Sequence, residues 1–345
     1  MSHRKISCLA LVVALALSSS VLGMPENRSY VSGNSALTLD GVNCGFLKSV
    51  DGGAISAEVI REPAGPGYFV KKHIGQPKYE DLTVQVGFSM SKPLYDWIAQ
   101  SWKMNYTRKN GSIVAMDQSL TPKSERQFTQ ALLTETTIPA MDGASKEPAY
   151  ITLKFSPETI RSASPSGGDK PGESGKNEQK MFLPSNFRFE IDGIDCSKVN
   201  KVESFTVKQA AVKDDIGDAR DRLQEPGKLE FPNLKITVAE VAAQPFIDWH
   251  RTFVIEGKSD ESGEKSGSLS FLSPNRQEVL ATIKFYNMGI FRIQSEKGEA
   301  NADQIRRLEV EMYVERMEFQ YGKDSAGTSP APAAPSAPPT RLRRG

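Results

Sequence analysis

Apolar and polar residues alternate with a period of two along much of this chain. Leu82, Val84, Val86 and Phe88 fall on one face of an extended segment, and Leu234, Ile236 and Val238 repeat the pattern 152 positions later. Ile151-Thr-Leu-Lys-Phe155 and Leu308-Glu-Val-Glu-Met-Tyr-Val314 alternate in the same way. Such alternation predicts half-buried antiparallel strands. Further strands are predicted at 36–40, 113–116, 126–133, 187–192, 269–272 and 279–286. The period changes to that of a helix at two places. After Ser91, which suits an N-cap, Pro93 is tolerated in a first turn, and Leu94, Trp97, Ile98 and Ser101 then follow helical spacing. Pro245, Phe246, Trp249 and Phe253 repeat this arrangement. The register assigns Trp97 and Trp249 to the core beneath each helix rather than to stacking on a ligand.

The spacing of 152 recurs elsewhere. Leu37-Thr-Leu-Asp-Gly-Val-Asn-Cys44 matches Phe189-Glu-Ile-Asp-Gly-Ile-Asp-Cys196, and Pro93-Leu-Tyr-Asp-Trp97 matches Pro245-Phe-Ile-Asp-Trp249. Solenoid and propeller repeats run about 20 to 50 residues, so a period this long indicates two whole domains. The expected fold is mainly β: two tandem β-barrel or sandwich domains, residues 35–160 and 186–322, each with one short α-helix. Each copy is large enough to bury its own core.

Three segments fall outside that pattern. Arg4 and Lys5 precede an apolar run from Leu9 to Leu17 and then small residues up to Gly23, the order of a signal peptide over residues 1–23. The run is too short for a stable membrane helix. This predicts an exported mature chain beginning at or near Met24. Residues 161–185 are rich in Ser, Gly and charge and are expected to form a solvated linker, whose nineteen central residues reach roughly 25 Å as a flexible coil. Residues 323–345 form a Pro/Ala-rich tail with a basic tip at Arg341, Arg343 and Arg344, expected to be disordered.

Charge and candidate chemistry narrow the function. With 43 basic and 42 acidic residues, the chain has no electrostatic basis for binding nucleic acid. His73 lies in a polar excursion, and His250 follows Trp249 where the first copy has Ile98, so the copies share no histidine site. There is no Gly-rich phosphate loop, no Gly-x-Ser-x-Gly elbow and no His/Cys cluster at metal-ligand spacing. Asp214-Asp215 and the Glu309/Glu311 pair read as solvated carboxylates. No catalytic residue, cofactor site or metal site is expected. Cys44 and Cys196 occupy equivalent places, which favours two buried free thiols. A disulfide would need their α-carbons within about 7 Å, as a face-to-face pseudo-twofold would allow.

An Asp-Gly step after the first strand, a long polar excursion, an alternating strand running into a short Trp-bearing helix and a terminal alternating strand follow in order in both copies. This order resembles the tail tube proteins of contractile phages and the tube proteins of contractile injection systems. The resemblance implies a structural subunit in a virion or tail-like particle, self-assembling and meeting other tail or baseplate proteins. As family rings hold six single domains, it also implies a trimeric pseudo-hexamer of the duplicated chain, in a tube body, tube end or hub. It further implies that the excursions at 53–78 and 205–229 grip neighbours, with Tyr68, Phe69, Val70 and Ile74 as candidate contacts. They read equally as plain surface loops. The alternative function is an exported two-domain binding module facing a cell-surface or envelope partner.

Overall fold

The computed structural model describes residues 33–63, 65, 70–88, 90–164, 182–214, 223–296 and 306–322. The expected signal segment, most of the linker (165–181) and the C-terminal tail lie outside the described residues.

The first repeat contains β1 (Asn34–Leu39), β2 (Val42–Leu47), β3 (Ser49–Gly52), β4 (Ile55–Pro63), β5 (Val70–Tyr79) and β6 (Leu82–Val86). Helix α1 (Lys92–Trp102) follows, then β7 (Lys109–Met116), β8 (Pro122–Ile138), β9 (Met141–Asp142), β10 (Ile151–Ser156) and β11 (Thr159–Ala163). The second contains β12 (Phe187–Ile191), β13 (Val199–Val202), β14 (Phe205–Asp214), β15 (Leu223–Glu230) and β16 (Leu234–Ala239). It continues with α2 (Gln244–His250), β17 (Lys265–Leu272), β18 (Val279–Ser295) and β19 (Arg307–Tyr321). The chain is mainly β, with one short α-helix per copy, as the alternation predicts.

All strand pairs are antiparallel, and the two copies share one plan. In the first, the order β2-β1-β7-β8-β10-β6-β3 forms one sheet, with β11 also beside β8, while β4, β5 and β9 lie outside it. In the second, β12-β17-β18-β19-β16-β13 follows the same path. Equivalence extends to irregularities: the β8/β10 ladder slips between Lys154 and Phe155, and the β18/β19 ladder slips between Ile290 and Arg292, the corresponding place. Gly111 lies opposite Leu39 and Phe128, and Gly267 lies opposite Ile191 and Phe285. A Cβ at Gly111 would sit 2.2 Å from the Thr38 carbonyl oxygen, and one at Gly267 would sit 2.5 Å from that of Glu190. Both copies therefore need glycine where two strands and an aromatic ring converge.

The repeated octet behaves differently in the two copies. At Asp40-Gly41 both residues have positive φ, 47° and 81°, which suits the tight reversal joining β1 to β2. In the second copy only Gly193 has positive φ, and Ile194 makes a single bridge back to Ile191 instead of starting a paired strand. The octet ends the first strand in both copies but builds a hairpin in only one.

The copies do not keep separate cores. Phe88 of the first repeat packs 4.6 Å from Phe182 and 4.9 Å from Phe271 of the second, ring centre to ring centre, and one apolar cluster runs through both sheets. Ordered structure also enters both ends of the stretch expected as linker, because β11 continues to Ala163 and Phe182 is buried. Phe182 is an aromatic residue just beyond the polar composition, and the shared core gives it a place to bury.

Both helices carry proline in the first turn, Pro93 in α1 and Pro245 in α2. Ser91 occupies the N-cap position of α1, as the sequence suggests, but its hydroxyl makes no capping bond. Trp97 and Trp249 are buried, and their indole N–H groups donate to the carbonyls of Thr107 at 2.9 Å and Gly263 at 3.0 Å. Beyond α2 the chain widens into a π-type turn, Arg251–Ile255, which buries Phe253.

Candidate assembly interface

The strands of the two copies are exchanged. The β14–β15 hairpin of the second repeat leaves its own sheet and joins the first repeat's, with β14 pairing against the far half of β8: Phe205 opposite Ile138, Thr206 opposite Thr137, Val207 opposite Thr136 and Lys208 opposite Glu135. In return, β9 of the first repeat pairs with β13 of the second. An exposed strand edge is a row of unpaired N–H and C=O groups, and this exchange closes one such edge inside the chain.

Side chains lock the docked hairpin. The hydroxyls of Thr137 and Thr206 lie 2.9 Å apart across the ladder. Ser101 on α1 donates to Gln209 Oε1 at 2.9 Å. The Gln224 backbone N–H donates to Glu158 Oε1 at 3.0 Å, its side-chain amide donates to the Pro157 carbonyl at 2.7 Å, and the Arg108 guanidinium donates to the Gln224 carbonyl. Arg108 and Glu158 also form an ion pair at 3.7 Å. Beside the ladder is an open cleft of about 380 Å³. In it Lys154 bridges Asp81 and Glu135, 3.6 Å from each, and Ser156 donates to Asp81.

Helix α1 forms the apolar half of the interface. Leu94, Trp97 and Ile98 face the first repeat's core, while Tyr95 and Trp102 turn towards β19. The Tyr95 ring stacks on Tyr321 at 3.7 Å between centroids, and Trp102 meets Phe319 edge-on at 5.9 Å. The apolar stripe of α1 is wide enough to serve both contacts, while Lys92 and Asp96 pair on its exposed face. The Tyr95 hydroxyl donates to the Gly87 carbonyl at 2.9 Å and accepts from the Met90 N–H at 3.2 Å. Burial raises the Tyr95 phenol well above its ordinary value.

Among the described residues, the surfaces equivalent to this interface at the other two flanks have no strand partner. The β4–β5 hairpin is the counterpart of β14–β15, yet it forms a sheet of its own. Ile55, equivalent to the 2% exposed Val207, is 52% exposed. Among the described residues, the second half of β18 pairs only with β19, with no strand where β14 covers β8. On α2 and the π-type turn after it, Ile247 and Val254 replace Tyr95 and Trp102 and are exposed, and Ile255 is 73% exposed.

Of the residues singled out from sequence, Pro93, Trp97, Pro245 and Trp249 hold the two helices as described. Val70 and Ile74 are exposed on β5, whereas Tyr68 and Phe69 lie outside the described residues. The excursions at 53–78 and 205–229 are hairpins rather than loops. His73 is on β5, 3.9 Å from Glu62, and His250 ends α2 far from any shared site. Both thiols are free: Cys44 is buried, while Cys196 is half-buried rather than fully enclosed. Burial raises both, Cys196 to about 11. Glu309 is not simply solvated, because Lys235 at 2.9 Å and the Gln294 amide hold its carboxyl below the usual range. Among the described residues no group of three or more His, Cys, Asp or Glu could hold a metal ion, and no helix is long and apolar enough to cross a membrane. Tyr95, Trp102, Gln209 and Gln224 escaped the sequence reading. The apolar residues on both faces of α1 were the available signal for the first two.

A duplicated antiparallel β-fold with one Trp-anchored helix per copy defines a mainly β protein whose two copies meet through their sheet edges. The chain belongs to the family of T4-like virus tail tube protein gp19, which matches residues 35–161 and 183–318, one match for each repeat. That family is structural and belongs in virions or tail-like particles. Solved structures similar to the chain include the sheath-tube complex of the extracellular contractile injection system PVC, with 17% identity and a TM-score of 0.33, covering 39% of this chain and 88% of that one. The sheath/tube terminator of the same system has 22% identity and a TM-score of 0.33, with 38% and 94% covered. Hcp1 from Flavobacterium johnsoniae has 11% identity and a TM-score of 0.24, with 39% and 95% covered. No curated protein matches the chain.

Proposed function

We propose that the chain is a ring-forming subunit of a tail-like tube or of the tube's end, in which three chains supply six tube domains in alternating order. The observation that carries this reading is the exchanged interface between the two copies. It joins two family domains through a continuous ladder, and the chain presents an unpaired equivalent of each half. A contact between unlike halves is heterologous, and repeated copies of it close into a ring if the rotation permits. Six domains per ring is what the family resemblance implies, and duplication halves the number of chains. Unlike copies also give the ring two kinds of position, which suits a place where a threefold hub meets a sixfold tube. Electron microscopy and mass photometry of the purified chain test the reading: a ring of three chains supports it, and a strict monomer at micromolar concentration or a ring of six full chains refutes it.

A further inference from the structure

The cis interface serves as a template for the contact between chains, and its residue equivalences predict both the register and the selectivity of that contact. We propose that the β4–β5 hairpin of one chain adds as an antiparallel strand to the open half of β18 in a second copy, with Ile55 opposite Ile293 and Ser56 opposite Arg292. We further propose that Lys72 makes this hairpin select a second-repeat edge over a first-repeat edge. The inference rests on the ring reading above and specifies which surfaces close the ring.

The register follows from the shared ladders. Glu135 and Lys154 pair in the first sheet where Arg292 and Glu311 pair in the second, so Glu135–Ile138 corresponds to Arg292–Ser295. The hairpins correspond through the repeat spacing, which places Val207 over Ile55 and Lys208 over Ser56. Transferring the pairs Val207–Thr136 and Lys208–Glu135 therefore gives Ile55–Ile293 and Ser56–Arg292. Both participating edges are open among the described residues: β4 pairs only with β5, and Arg292–Ser295 pairs only with β19. Exposed large apolar side chains gather on these same surfaces. Ile55, Val59, Ile60, Val70 and Ile74 line the hairpin; Ile247, Val254, Ile255 and Phe291 lie beside the β18 edge. Strand addition gives such a contact affinity through the main chain, and the side chains set its specificity.

Charge supplies the selectivity. In cis, Gln224 meets the Arg108–Glu158 ion pair through its backbone carbonyl and N–H, and its uncharged side chain lies beside that balanced pair, donating to the Pro157 carbonyl. Its counterpart on the first hairpin is Lys72, next to Lys71, and both are exposed. The counterparts of Arg108 and Glu158 on the second repeat are Glu264 and Glu315. Lys72 thus meets two carboxylates on a second-repeat edge, whereas on a first-repeat edge it would meet the Arg108–Glu158 pair, whose charges offset each other. The uncompensated opposite charge favours the second-repeat edge.

The test is a cross-link in the full chain carrying Ser56→Cys and Arg292→Cys, with each single variant as control. The expected result is covalent oligomers under mild oxidation from the double variant and none from the singles. A ring seen by mass photometry without the cross-link overturns this pairing but leaves the ring reading intact. Failure of the chain to oligomerise at all overturns both. For selectivity, Lys72→Glu is expected to raise the concentration needed for assembly at least about tenfold, and Glu315→Lys in the same chain is expected to restore it. Unchanged assembly in Lys72→Glu, or no rescue by the second change, overturns the electrostatic selection.

Discussion

The two hairpins of this molecule share an origin and a shape but not an environment. β14–β15 is clamped into a neighbouring sheet, with Val207 buried and Gln209 and Gln224 tied to α1, Pro157 and Glu158. β4–β5 stands alone, its whole first strand exposed. The helices differ in parallel. α1 is buried on both faces, whereas α2 leaves Ile247 and the turn after it in solvent. Duplication has thus produced one interface that is intramolecular, and so forms at high effective concentration, and one set of equivalent surfaces left uncovered among the described residues. On the proposed ring reading, the covalent repeat would pre-form half of an assembly's contacts and leave the rest to mass action.

Several substitutions would break or sharpen this contrast. The largest effect is expected at the helix anchors, which the copies share. Trp97→Ala and Trp249→Ala should each lower stability by about 3–5 kcal/mol in chemical denaturation, since each leaves a large cavity and a carbonyl without its indole donor. Trp97 should be the costlier, being the more deeply buried. The hairpins should separate next. Val207→Asp places a carboxylate in a buried ladder and should cost about 3 kcal/mol or more, whereas Ile55→Asp should stay within about 0.5 kcal/mol in the dilute chain and impair only assembly.

A smaller effect belongs to Tyr95, which has no polar counterpart at Ile247. Tyr95→Phe removes two hydrogen bonds and should cost about 1–2 kcal/mol at neutral pH. Its pH signature is more specific. Because burial raises the folded-state phenol above its ordinary 10.0, the stability it contributes is complete below pH 10 and falls as pH rises beyond that, where only the unfolded chain ionises readily. The variant should lack that part of the alkaline loss in pH-dependent unfolding. The smallest effect is at Glu309, whose carboxyl is depressed by Lys235 and Gln294 where the first copy carries Thr152, Thr83 and Thr137. Its contribution is present above the ordinary 4.5 and lost as pH falls through the lowered value. Glu309→Gln should therefore change stability by no more than about 1 kcal/mol at pH 7 and reduce the acid sensitivity measured by the same titration.

Much of the fold was legible because half-buried strands write their inward face at every second residue. Leu82-Val84-Val86 and Leu234-Ile236-Val238 became β6 and β16, and both tryptophans landed beneath their helices. The equivalence of Gly111 with Gly267 was hidden because their spacing is not 152, a few residues having been inserted between helix and strand in the second copy. The first hairpin read as a polar excursion because β4 has no buried face, and alternation is visible only where one face is buried; β14 does bury Phe205, Val207 and Gln209, a run too short and too polar to stand out. Strand exchange was not legible at all. It is decided by which backbone edge is open, and backbone N–H and C=O groups are common to every residue. The interface polar residues Gln209 and Gln224 look like any surface glutamine until β14–β15 is seen to cross between repeats.

Hydrogen–deuterium exchange across a concentration series, resolved to peptides, tests the central claim most directly. The amides of Glu135–Ile138 and Phe205–Lys208 should be protected at every concentration, because their ladder is intramolecular. Within Ile55–Glu58 and Arg292–Ser295, the amides that are not already bonded to β5 or β19 should exchange rapidly in dilute chain and become protected together as assembly proceeds. Equal exchange at these two edges in the dilute and assembled states, or protection of one without the other, would contradict the account.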